Sequence, residues 1–276
     1  MSIASLGMYD NPAIRPAIDH LWQAWRALFI NSSSLSVIPP ENLNREMPLS
    51  EQWQHPDLFL SQMCGCPYLS KYRELVTLVA TPRYTHAGCT GHHYSSFIAS
   101  ACGASPALEE YQDKILAANS NDSLSGLISL EISLADRGWK NPFFSECIYT
   151  GAHANSMKKV ANGKADLCCV DTVSWAFTCR AEPTLVEQLQ IIDQTPLLPA
   201  LPLVTSAQQS TEFVKLLQET ILLSPGNPSA KLALDNLGIE GFDIVSDEQY
   251  AVILDRYATV PKTLKQQVAK RFTAAQ

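Results

Sequence analysis

Lys114-Ile-Leu-Ala-Ala-Asn119-Ser-Asn-Asp-Ser-Leu-Ser-Gly126, followed by Leu127-Ile-Ser-Leu-Glu-Ile-Ser-Leu-Ala-Asp136, decides the fold. Lys114 to Ala118 is a short apolar run of strand length, Asn119 to Gly126 is a polar loop, and Leu127 to Asp136 is a helical segment closed by Gly138. A strand that turns through serines directly into a helix is an anion-binding arrangement, because the helix head presents unbonded N–H groups and the positive end of its dipole. Ser123 and Ser125 lie two apart and can converge on one tetrahedral anion, while Gly126 lets backbone approach closely. The ordinary alternative is a capped turn with no ligand.

The same rhythm recurs on both sides. Ser145 to Tyr149 reads as a strand leading to Thr150-Gly-Ala-His153, then a helix with Met157, Val160 and Ala161, then the strand Asp166 to Val170. His153 at such a turn can donate to an anion and is drawn to it electrostatically. Upstream, Ile3 to Met8 is a strand. A helix follows, capped by Asp10 or Asn11 and carrying Ile14, Ile18, Leu21, Trp22, Trp25, Leu28 and Phe29 on one face. Asn31 to Pro40 is a loop, Leu58 to Gln62 a strand, Leu75 to Thr81 a strand stopped by Pro82, and Tyr94 to Ser100 another strand. Downstream come the strand Leu203-Val204 and helices over Thr211–Leu223, Ser229–Asn236, Asp247–Tyr257 and Lys262–Thr273. Strands alternating with helices predict α/β sheets containing parallel strands, whose loops open together at the carboxyl ends.

Composition bounds the function. The chain has 276 residues, of which 46% are hydrophobic and 17% charged, enough apolar material for a packed core. Its 20 Lys and Arg against 27 Asp and Glu give a net charge of −7, which argues against nucleic acid or an anionic membrane as partner. Gln190 to Val204 is broken by Asp193, Pro196, Pro199 and Pro202, far short of the roughly 20 residues a spanning helix needs. The first ten residues show no signal-peptide pattern, so a cytoplasmic protein is expected, or a periplasmic one whose leader has been removed. The 8 cysteines follow no regular framework and read as reduced thiols, with Cys168 and Cys169 in the core. His86, Cys89, His92 and His93, with Cys64 and Cys66, form a possible zinc set, but no paired ligand motif completes it, and neither metal nor cofactor is expected. Cys89 served by His153 is a second conceivable chemistry, with nothing local to the cysteine to support it.

Taken together, Ser5-Leu-Gly-Met-Tyr-Asp10, Leu60-Ser-Gln-Met-Cys-Gly-Cys-Pro-Tyr68, Asn119 to Gly126, Thr150-Gly-Ala-His153, Gly163-Lys-Ala-Asp-Leu-Cys-Cys-Val-Asp-Thr-Val-Ser-Trp175 and Pro199-Ala-Leu-Pro-Leu-Val204 resemble, in order and spacing, the PhnD-like binding proteins of phosphate, phosphite and phosphonate ABC transporters. The likeness is closest to short proteobacterial members without a signal peptide. It implies a type II periplasmic-binding-protein-like fold of two lobes, each a mixed, mostly parallel sheet flanked by helices, with the ligand in the cleft between them. Lobe one is expected over 1–98 and 201–276, and lobe two over 99–200. The resemblance maps the oxyanion contacts onto Ser123, the Leu124 backbone, Ser125, Gly126 and His153. It maps an aromatic cover onto Tyr68. Tyr9, at the end of the first strand, and Asp171, at a strand end, are further candidates. Leu124 stands where phosphonate binders often carry a hydroxyl. The expected function is capture of a small oxyanion for a transporter permease, and the alternative is a cytosolic enzyme or ligand sensor on the same fold.

Overall fold

A computed structural model describes residues 2–32 and 37–265. Its principal strands in chain order are β1 (Ile3–Ser5), β2 (Leu58–Gln62), β3 (Val76–Tyr84), β4 (Ser96–Ala101), β5 (Ile115–Ala118), β6 (Glu146–Tyr149), β7 (Leu167–Asp171), β8 (Leu189–Gln194), β9 (Leu203–Ser206) and β10 (Ile239–Asp243). The described residues fall into two compact units. The first comprises Met1–Thr85, Cys89–His93 and Pro199–Ala251, and the second His86–Gly88, Tyr94–Leu198 and the described chain from Val252 onward.

The sheet of the first unit has the order β1-β2-β9-β3-β10. β1 and β2 run parallel, with Ala4 opposite Leu60, while β9 enters antiparallel between β2 and β3. Leu58, Phe59, Leu60 and Ser61 are all fully buried, the signature of a strand covered on both faces. Helix α1 (Arg15–Ile30) supplies one cover: Trp22 and Phe29 set their rings edge-on against Phe59, at 6.0 and 5.3 Å between centroids. The helix is not capped where the sequence suggested: its N-cap is Ile14, which makes no side-chain cap bond, and Asn11 Oδ1 accepts from the N–H groups of Ala13 and Ile14 in the turn just before it. Pro82 does not end β3, which continues to Tyr84. β9 pairs with Val76–Ala80 and β10 with Thr81–Tyr84, so β3 has a partner on only one side at Pro82, where the missing N–H costs nothing.

The sheet of the second unit has the order β8-β4-β7-β5-β6. β6, β5 and β7 are parallel neighbours, and β4 runs against β7 and β8 on either side of it. Leu167, Cys168, Cys169 and Val170 are fully buried in the middle of the sheet, so the adjacent cysteines are core, and burial pushes the Cys169 thiol up to about 12. The expected boundaries shift, and Pro199 and Ala200 fall in the first unit. Residues 96–98 belong to the second unit, because β4 pairs with β7 and β8 along its whole length. The chain from Val252 also packs on the second unit, and this differs from the expected 201–276 assignment. Arg256 pairs with Asp136 at 2.6 Å and Tyr257 donates its hydroxyl to Glu131 at 3.0 Å, which is what holds that segment there. The helix expected over Lys262–Thr273 is present at Lys262–Lys265, and residues 266–273 lie outside the described chain.

Glu131 is 2% exposed, and its Oε1 has no hydrogen-bond partner. Burial pushes its carboxyl up to about 7, against the opposing pull of the Tyr257 hydroxyl and Lys265. A carboxyl with a raised folded-state pKa stabilises the fold fully at low pH and loses that contribution as pH rises from its ordinary value through the raised one. The loss is on the order of 3 kcal/mol between about pH 4.5 and 7. Glu131→Gln, which mimics the protonated form, should therefore gain stability over the parent as pH rises from about 5 to about 8 in urea unfolding; an advantage that does not grow with pH would refute this.

Candidate oxyanion-binding site

The helix after β5 starts earlier than the sequence suggested. Ser123 is its N-cap, with φ −71° and ψ 121°, and its Oγ accepts from Gly126 N at 3.0 Å. A π-turn over Leu124–Ile128 follows, with Leu127 N and Ile128 N both bonded to Ser123 O, and it runs on into α2 (Ser129–Asp136). Ser125 and Gly126 are thus helical residues and not loop. At a helix head the first N–H groups have no carbonyl behind them, so Leu124 N and Ser125 N have no partner within the helix. Leu124 is 1% exposed and buries its side chain, leaving its backbone as its contribution. Gly126 leaves room here for Asn119: a Cβ would lie 1.9 Å from Asn119 Oδ1 and would have to push that side chain aside.

His153 begins α3 (His153–Ala161). Its turn is tied to the serine turn by two main-chain bonds, Thr150 N to Ala118 O and Gly151 N to Asn119 O, both 2.9 Å. Gly151 has φ +80°, a conformation that favours glycine. The result is that His153 Nε2 stands 2.9 Å from Ser125 Oγ. The same nitrogen lies 3.2 Å from Asp171 Oδ2. Asp171 ends β7 and caps α4 (Thr172–Ala181) by accepting from Ser174 N at 2.7 Å, while Cys169 Sγ donates to Ser125 O. Ser123, Leu124, Ser125, Gly126, His153 and Asp171 are therefore brought together at the carboxyl ends of the parallel strands β5 and β7.

Burial lowers the His153 pKa, and the Asp171 carboxylate only partly opposes it. A lowered pKa favours the neutral imidazole, which can donate or accept a hydrogen bond, over the imidazolium. One nitrogen faces both the hydroxyl and the carboxylate, and Nδ1 has no partner. A nucleophile relay uses the two ring nitrogens separately, one for the hydroxyl and one for the carboxylate, so this Ser-His-Asp group is not wired as one.

The remaining candidates lie in the first unit. Tyr9 is buried, with its ring edge-on to Tyr84 at 6.0 Å. Tyr68 donates its hydroxyl to Asp247 at 2.7 Å and packs against Tyr250. Of the possible zinc set, His92 Nδ1 is 2.8 Å from Asp243 Oδ2, whereas His86 belongs to the second unit and packs on Phe177. No group of three or more His, Cys, Asp or Glu suited to a metal ion occurs among the described residues.

A family model for the periplasmic substrate-binding protein of phosphonate ABC transporters matches residues 63–250. The chain belongs to this family. Substrate binding is accordingly its function. Among solved structures, the binding-protein component of an ABC phosphonate transporter from Pseudomonas aeruginosa has a TM-score of 0.71 at 14% identity, over 93% of this chain and 84% of that one. PhnD1 from Prochlorococcus marinus in complex with methylphosphonate gives 0.70 at 14% identity, over 96% and 98%. XAC2383 from Xanthomonas citri bound to chloride gives 0.70 at 13% identity, over 95% and 98%. At these identities they establish the fold, that of the type II periplasmic binding proteins. Comparison with curated proteins gives no match.

In this phosphonate-binding family member, sequence reasoning missed Asn119, whose carbonyl joins the two turns and whose carboxamide lies against Gly126. The available signal was its place as the first residue of the polar loop, directly after the strand. Because the Ser123 hydroxyl caps the helix, Ser123→Ala should lower unfolding stability by about 0.5–2 kcal/mol in denaturant titration. An unchanged midpoint would mean that the cap is dispensable.

Proposed function

We propose that this chain captures a small phosphorus oxyanion, of phosphate, phosphite or phosphonate type, through the helix head after β5, and delivers it to a transporter permease. The proposed contacts are the hydroxyls of Ser123 and Ser125, the backbone N–H groups of Leu124 and Ser125, the close backbone approach at Gly126, and the His153 imidazole. The observation that carries this reading is the Ser125 Oγ–His153 Nε2 approach of 2.9 Å, which sets a hydroxyl and a neutral imidazole beside unbonded helix N–H groups. Asp171, beside Ser125 at the same imidazole nitrogen, favours a ligand that brings a proton-bearing group, either a protonated oxygen or an amine.

Titration calorimetry with phosphate, phosphite, methylphosphonate, 2-aminoethylphosphonate and sulfate tests the reading. Heat is expected from at least one phosphorus oxyanion, and silence from all of them at millimolar concentration would reject it. Hydrogen bonds to a charged oxygen contribute roughly 1.5–3 kcal/mol, so Ser125→Ala should weaken binding about 10- to 100-fold. At neutral pH His153→Gln should retain more affinity than His153→Ala, because the imidazole acts there as a neutral hydrogen-bonding group; equal losses would argue against that role.

A further inference from the structure

Asn119 closes β5 with a side chain that has nothing to do inside the protein. Its Oδ1 is buried without a hydrogen-bond partner, and Nδ2 donates to no group among the described residues. The main-chain carbonyl of the same residue accepts from Gly151 N at 2.9 Å, which fixes where the side chain starts. That place is the head of the helix: a Cβ on Gly126 would meet Asn119 Oδ1 at 1.9 Å and Ser123 Oγ at 3.2 Å. The carboxamide therefore fills the space left by the missing Cβ, with Oδ1 resting on the Gly126 Cα–H face, a weak contact that needs no N–H donor. Gly126 N–H is in any case taken by Ser123 Oγ.

An amide carries its donor and its acceptor on separate branches. With Oδ1 turned to Gly126, the Nδ2 branch is left for something outside the protein. Leu124, at the first helical position, buries its side chain and offers no hydroxyl. We infer that Asn119 Nδ2 is a further ligand donor, taking the place of the hydroxyl that Leu124 lacks. It rests on the proposed function above and names the ligand class more closely. Ser123, Ser125 and Asn119 give three side-chain donors, suited to the three terminal oxygens of a phosphonate or phosphate group.

The test is calorimetry on the parent chain, Asn119→Ala and Asn119→Asp, with methylphosphonate, inorganic phosphate and dimethylphosphinate, which has two terminal oxygens. Asn119→Ala is expected to bind methylphosphonate about 10- to 100-fold more weakly and to lose part of the preference for methylphosphonate over dimethylphosphinate. Asn119→Asp, which sets a carboxylate against the anion, should bind more weakly still. Affinity of Asn119→Ala within about twofold of the parent, with preference unchanged, overturns the assignment while leaving the oxyanion reading intact. A parent chain that binds none of the three overturns both. Should the variants unfold, the side-chain amide resonances of Asn119 in the parent decide: a shift on adding methylphosphonate supports the contact, and no shift refutes it.

Discussion

Everything at the candidate site depends on two main-chain bonds, Thr150 N to Ala118 O and Gly151 N to Asn119 O. They continue the parallel pairing of β5 and β6 one step past the sheet, so the turns leaving both strands are fixed to each other and not merely near. Only then does the first residue of one helix meet the second residue of another, and Ser125 finds His153. Gly151 supplies the backbone conformation for that extension, and Gly126 supplies the room under the second helix head. Two glycines of different kinds, one chosen for φ and one for space, thus set the geometry.

The electrostatics of the candidate site rest on dipoles. None of the proposed contacts is a lysine or arginine. The positive potential comes from helix N–H groups, hydroxyls and an imidazole kept neutral by burial, in a chain whose net charge is −7. Fixed dipoles do not have to be desolvated as full charges do, and they can sit beside Asp171 without collapsing into an ion pair. Asp171 itself is engaged by Ser174 N as a helix cap, and this anchors the carboxylate that steadies His153.

Much of this was legible in the sequence, for physical reasons that can be named. β2 and Thr211–Leu223 were read at their true bounds, because a short apolar start and a long amphipathic segment leave little ambiguity. The serine turn and His153 were found from residue type and from their place between strand and helix. What escaped was set by tertiary context. α4, β8 and β10 carry mixed patterns without clear periodicity, and Pro82 is tolerated only because of which partner stands beside it. The early start of the helix at Leu124 depends on a cap that spacing alone leaves open. Asn119 has no motif: its significance appears only once Gly126 is seen against it. Glu131 carries no sequence signal of its burial, which depends on the chain around Tyr257 packing over it.

The neutral cradle has a consequence for encounter kinetics. An anion approaching a chain of net charge −7 climbs a repulsive field, and no exposed cation among the named contacts offsets it at long range. Dissolved salt screens that field over about 8–10 Å, while the hydrogen bonds made after contact are short-range and barely screened. Raising ionic strength should therefore quicken capture and leave the departure rate nearly alone, the reverse of the pattern for a site built from lysines and arginines.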